Sequence, residues 1–152
     1  MASIVESFYS SFQAKDGDAM AACYHQDILF DDPAFGKLSG RGAGDMWRML
    51  CKNGKDMKME YEIVSEDENQ AEVHWQVWYT FSQTGNKVHN IICAKMKIEN
   101  GLIIDHRDEF SLHRWAKQAL GLKGWLFGGT SFFKKKLQLQ TNKLLKTFQS
   151  NT

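Results

Sequence analysis

Apolar residues recur at three- and four-residue spacing in Ile4-Val5-x-x-Phe8-Tyr9-x-x-Phe12, which predicts an amphipathic helix with Phe8 and Phe12 facing inward. Lys15-Asp16-Gly17-Asp18 interrupts that pattern, and Asp16 or Asp18 can cap a second short helix carrying Met20, Ala21, Cys23 and Tyr24. A short apolar strand, Ile28-Leu29-Phe30, then runs into Asp31, Asp32 and the only proline, Pro33. Gly36 to Gly42 reads as a glycine-rich loop, and Asp45 to Cys51 as a third helix stopped by Asn53-Gly54. From Met57 the period changes to two. Met57 to Ser65, Ala71 to Phe81, Val88 to Ile98 and Leu102 to Leu112 read as four long strands in an antiparallel meander. The remainder is helical: Leu112 to Leu122 forms a short helix, Gly124 to Gly129 a mobile aromatic loop, and Phe133, Leu137, Leu144 and Phe148 mark one face of a terminal helix.

Alternation along the second strand of the meander puts Val73, Trp75, Val77, Tyr79 and Phe81 on one side and His74, Gln76, Trp78 and Thr80 on the other. With Trp78, Ile91, Cys93 and Ile103 opposite the core, the outer surface is apolar enough to predict cover by a second subunit, hence a homodimer. The 152 residues, 43% of them hydrophobic, suffice for one domain with a real core.

Charge changes the picture at the C-terminal end. Residues 1–112 carry a net −7, whereas residues 113–152 hold eight Lys/Arg and no acid. This basic segment is read as complementing the acidic body it packs on, because Trp115, Leu120, Leu122, Trp125, Leu126, Phe127, Phe132 and Phe133 interleave with its charges and demand burial. Phe132-Phe133-Lys134-Lys135-Lys136 could form a membrane-surface element, but docking over the body is the preferred reading. No nucleic-acid motif accompanies the basic residues, so nucleic acid is not an expected partner. The N-terminus lacks a basic and apolar leader pattern, no run is long enough to span a membrane, and the three cysteines have no metal or redox spacing; a cytoplasmic protein is expected. His25, His74, His89 and His113 show no helical ligand pairing, so neither a metal nor another cofactor is expected.

The best candidate for chemistry is Asp32. An acid at a strand end, beside a rigid proline and between Phe30 and Phe35, is placed for partial desolvation and a raised pKa, as a general base requires. Asp-Asp-Pro is equally ordinary turn chemistry, in which a carboxylate accepts from nearby backbone amides. The glycine-rich loop after it has neither the dinucleotide nor the P-loop spacing, so a phosphate cradle is not indicated.

Two helices, a strand ending in Phe30-Asp31-Asp32-Pro33, Gly40-Arg41 opening a third helix, and a long meander containing Asn100-Gly101-Leu102-Ile103 together resemble the nuclear transport factor 2-like superfamily, with its ketosteroid isomerases, epoxide hydrolases and SnoaL-like cyclases. Phe12 to Asp18 looks like that family's helix-to-helix turn. The resemblance implies an α+β, cystatin-like cone over residues 1–114, its curved antiparallel sheet wrapped around the N-terminal helices, with residues 115–152 as a helical extension on the same domain. It places Asp32 where the isomerases carry their proton-shuttling aspartate, but Phe8 and Ala94 stand where their oxyanion donors would be, which argues against steroid isomerisation. The same register turns Asn90, Tyr79, His106, Asp108 and Phe110 towards the cone interior, while Tyr9 faces away from the Phe8 side. The expected function is binding of a small hydrophobic molecule. Asp32, His106 and Asp108 are the candidate catalytic groups for proton transfer, hydration or hydrolysis, with Tyr79, Asn90, Phe30, Trp47 and Phe110 as ligand-binding residues. The alternative readings are structural: His106 as a satisfied strand histidine, Asp108 as an anchor for Arg41 or Arg114, and the whole as a non-catalytic association module.

Overall fold

The computed structural model describes residues 2–151. Helix α1, Ile4–Gln13, starts where the Ser3 hydroxyl accepts from the Glu6 amide, and α2, Gly17–Ala22, starts where the Asp16 carboxylate accepts from the Ala19 amide. Asp16 is therefore the cap of α2. The helix ends before Tyr24, which opens strand β1, Tyr24–Asp32. β1 is longer than the apolar run of its sequence. It turns through residues 33–35 into β2, Gly36–Ser39, where only a loop is expected from the glycines. The reason is Gly36, whose φ of +75° supplies the left-handed residue that closes a three-residue hairpin loop.

Helix α3, Arg41–Asn53, begins earlier than its apolar pattern and leads to the meander β3, Lys58–Glu66, β4, Gln70–Thr80, β5, Lys87–Glu99, and β6, Leu102–Glu109. The six-stranded sheet has the order β2-β1-β6-β5-β4-β3 and is antiparallel except where β1 runs parallel to β6. Its concave face buries Val73, Trp75, Val77, Ile92, Ala94 and Met96 against α1 and α3, which contribute Phe8, Tyr9, Phe12, Met46 and Trp47. Tyr9 is thus inside, fully buried and stacked on Tyr61, contrary to the outward phase expected of it. Ile103 is also buried rather than outward. A register shift between β5 and β6 reverses its phase without reversing His106 or Asp108.

The C-terminal segment folds as α4, Leu112–Leu120, α5, Leu122–Phe127, and α6, Ser131–Ser150. The stretch expected to be a mobile loop is helical because Gly124 and Gly128 allow α5 to lie directly on α4, against the Ala116 carbonyl and side chain respectively. On α6 the buried residue is Leu145, and Leu144 is half exposed, one position off the face expected from spacing. No helix among the described residues is long and apolar enough to cross a membrane.

Candidate functional site

β1 and β6 lie side by side, with Phe30 opposite His106, and this parallel pair carries the candidate acids. Alternation on β6 turns His106 and Asp108 into the cone, as expected, where they are 0% and 3% exposed. A line of hydrogen bonds runs through them. Trp47 Nε1 donates to Tyr24 Oη at 2.7 Å, Tyr24 Oη lies 2.7 Å from His106 Nδ1, and His106 Nε2 lies 2.8 Å from Asp108 Oδ1. Trp75 Nε1 approaches the same Asp108 oxygen at 3.4 Å.

Donor accounting assigns the protons. An indole N–H only donates, so the Tyr24 oxygen accepts from Trp47 and spends its own proton on His106 Nδ1. His106 then carries its proton on Nε2 and donates to the Asp108 carboxylate. Burial holds the Tyr24 phenol well above its ordinary range, which keeps that donor protonated. Phe8, Tyr24, Phe30 and Trp47 all lie within ring-contact distance of the imidazole, with Trp47 stacked on it at 6.0 Å. The centre of the cone is therefore packed, and His106 cannot touch a ligand while these rings keep their places. Two open surface grooves, of about 950 and 900 Å³, are lined by none of the eight candidate residues.

Asp32 stands at the rim of this packed centre. Its Oδ1 accepts from the amides of Ala34 at 3.0 Å and Phe35 at 2.6 Å, so the turn chemistry read from Asp-Asp-Pro is present. It coexists with a perturbed acid. Burial pushes the Asp32 carboxyl up to about 7, the Phe35 amide pulls against this, and the nearby Asp108 charge adds to the rise. Asp108 has neither Arg41 nor Arg114 as partner; Arg41 pairs with Asp45 instead.

The other expected ligand-binding residues fall into two groups. Phe30 and Trp47 belong to the packed wall around His106. Tyr79 and Phe110 lie under α4, where Trp115 Nε1 donates to Tyr79 Oη at 2.6 Å. Asn90 is buried on the concave face opposite Val77, two residue pairs from Tyr79. Sequence reasoning missed Tyr24 and Trp75 as members of the polar line. An aromatic spacing does not reveal that a ring edge will meet a carboxylate two strands away. It also missed Tyr9, whose buried hydroxyl has no hydrogen-bond partner among the described residues.

Helix α6 fixes the Asp32 turn from outside. Gln138 Nε2 donates to the Pro33 carbonyl, Thr141 Oγ1 to that of Ala34 and Asn142 Nδ2 to that of Phe35, at 3.1, 2.8 and 2.8 Å. The same peptide segment thus gives its amides to Asp32 and its carbonyls to α6. Replacing Thr141 with Val and Asn142 with Leu is expected to cost about 1 kcal/mol per lost bond and to speed hydrogen exchange at the Ala34 and Phe35 amides. Peptide-level exchange over residues 33–36 measures this; unchanged protection would show that α6 does not hold the turn.

A SnoaL-like domain model matches residues 5–106, about two-thirds of the chain and every element from α1 to His106. The chain belongs to the SnoaL-like family. Among solved structures, the SnoaL-like protein is similar to an epoxide hydrolase of the limonene type from M. tuberculosis, at 20% identity over 81% of this chain and 92% of that one, with a TM-score of 0.60. A candidate polyketide cyclase from Xanthomonas campestris matches at 20% identity, 76% and 93% coverage and a TM-score of 0.62. A protein of ketosteroid isomerase-like fold from Catenulispora acidiphila, in complex with trimethylamine, matches at 13% identity, 76% and 91% coverage and a TM-score of 0.62. At these identities the likeness carries the nuclear transport factor 2-like fold alone. No curated protein matches the sequence.

Proposed function

We propose that this SnoaL-like protein binds a small hydrophobic, carbonyl-bearing molecule at the rim of the cone and moves a proton on it with Asp32 as the base. The carrying observation is the placement of Asp32: a half-buried carboxyl, lifted to about 7, held rigidly by two backbone amides and electrostatically coupled to Asp108. A base poised near neutrality is the property proton transfer next to a carbonyl requires. Asp108 and His106 act as an orienting pair rather than as groups that touch the ligand, because both are packed and hydrogen-bonded at their working atoms. Asn90 is the polar group available to read a ligand oxygen, with Tyr79 and Phe110 bordering the same face. Hydration or hydrolysis, in which Asp32 activates water, uses the same geometry.

The outer face of the sheet is the surface through which a homodimer would form. Ile91, half exposed, sits there beside Cys93 and the Trp78–His89 ring stack. Hydrophobic cyclic ketones and lactones, titrated against the protein with proton exchange at the α-carbon as readout, test the functional reading. Saturable binding and exchange that rises with pH through about 7 are expected. Neither binding nor exchange would leave the cone as a scaffold only.

A further inference from the structure

Helix α6 carries apolar residues on two sides. Its inward side packs Phe133, Leu137, Leu145 and Phe148 on the body, and there Gln138, Thr141 and Asn142 also donate to the carbonyls of residues 33–35 and Gln149 donates to Asp45. Its solvent side carries apolar residues: Phe132 and Leu139 are each 75% exposed. Phe132, Lys136, Leu139, Lys143 and Lys146 follow one another at four- and three-residue spacing, so they form a single exposed stripe in which large apolar side chains alternate with lysines.

A second set of exposed apolar residues lies on α5, just before α6 in the chain. His113 Nε2 donates to the Trp125 carbonyl at 2.7 Å, and the glycine contact of α5 with Ala116 leaves the short helix lying flat on α4. Held in this way, α5 turns Leu122, Trp125, Leu126 and Phe127 outward, each more than half exposed. These apolar groups share the segment of eight Lys/Arg and no acid, on a protein whose remaining residues are net negative. The expectation that the aromatic residues here are buried by docking is therefore met only by Trp115 and Phe133.

We propose that α5 and the outer stripe of α6 form a membrane-surface site that seats on an anionic phospholipid bilayer, with Trp125, Phe127, Phe132 and Leu139 entering the headgroup boundary and Lys135, Lys136, Lys143 and Lys146 meeting lipid phosphates. Trp, Phe and Leu are the side chains that partition into this boundary, and an all-cationic rim selects a negative leaflet. A peptide partner would need no such combination of exposed large apolar side chains and positive charge without an acid among them. The seat lies on the helix that clamps the Asp32 turn, so a hydrophobic ligand carried in the bilayer would be delivered beside the rim of the cone.

The test is co-sedimentation of the full chain with phosphatidylcholine vesicles, with and without about one-third phosphatidylserine, across a salt series. Binding is expected only to the anionic vesicles, with a blue shift of tryptophan emission that Trp125→Phe removes. Trp125→Ser with Phe127→Ser is expected to weaken binding at least tenfold, on the order expected for two interfacial aromatics. Lys135→Gln, Lys136→Gln and Lys143→Gln together are expected to weaken it by roughly 100-fold at low salt, about fivefold per lysine, and to flatten the salt dependence. All five positions are exposed, so the fold should survive; circular dichroism checks it. Absence of binding to the anionic vesicles, or binding that ignores both sets of substitutions, overturns the proposal. Loss of a solution dimer in the Trp125→Ser, Phe127→Ser variant, without vesicle binding by the parent, would assign the patch to a second copy of the chain instead.

Discussion

Asp32→Asn is expected to abolish proton transfer, by 100-fold or more, while making the protein more stable at pH 8. Asn keeps a side-chain oxygen able to accept from the Ala34 and Phe35 amides, so the turn survives, but it has no basic carboxylate. The stability sign follows from the raised pKa. Between about 4 and 7 the folded protein holds on Asp32 a proton that the unfolded chain has released, so the parent loses stability as pH rises through that window and levels off above it. The rise from 3.8 to about 7 corresponds to at most about 4 kcal/mol, and to less in practice because the residue is partly solvated. The variant lacks this penalty: at pH 4 its stability should match the parent, and at pH 8 it should exceed it. Denaturant midpoints of the two proteins at both pH values decide the matter. A variant that is equally active, or one whose stability advantage is absent at pH 8, would leave Asp32 as a turn residue and nothing more.

That outcome separates two readings of one motif that the sequence leaves side by side. Asp-Asp-Pro announces a turn, and the turn is there; what the chain does not announce is that β1 runs parallel to β6 and so sets Asp32 near Asp108, seventy-six residues away. The meander was legible because alternation is a local property. Val73, Trp75 and Val77 face the core as their spacing requires, and His106 and Asp108 face inward for the same reason. Phase failed where a single residue intervenes. The register shift in β6 turned Ile103 inward, and the C-cap at Cys23 moved Tyr24 from a helix to a strand, where its hydroxyl became the link between Trp47 and His106. Contacts of this kind are made by tertiary placement, and no periodicity encodes them. The C-terminal helices illustrate the opposite case: Phe133, Leu137 and Phe148 pack inward as their spacing requires, but the spacing does not say that Gln138, Thr141 and Asn142 share that side, bound to backbone carbonyls, or that Trp125, Phe127 and Phe132 stay outside.

The second large effect concerns the packed line itself. His106→Leu is expected to destabilise the protein by about 3–5 kcal/mol, because it leaves the Asp108 carboxylate with only the long bond from Trp75 and the Tyr24 hydroxyl without its acceptor in a region that water does not reach. The loss is not the value of the hydrogen bonds, which folding trades against those to water, but the cost of groups stranded by removing one partner. Adding Asp108→Leu to the first substitution should therefore recover a large part of the loss, although each change alone is harmful. Replacing both members of a buried hydrogen-bonded pair by apolar side chains of similar shape is often close to neutral. Chemical denaturation of the two single variants and the double variant closes this cycle. If the double variant were as unstable as the sum of the singles, the two groups would be independent and the assigned line of donors would be wrong. If the cycle shows the expected coupling, the double variant, folded but without the orienting pair, also gives a direct measure of how much of the Asp32 chemistry depends on what lies behind it. Under the present geometry its exchange rate should fall with little change in ligand affinity, because neither His106 nor Asp108 is placed to touch the ligand.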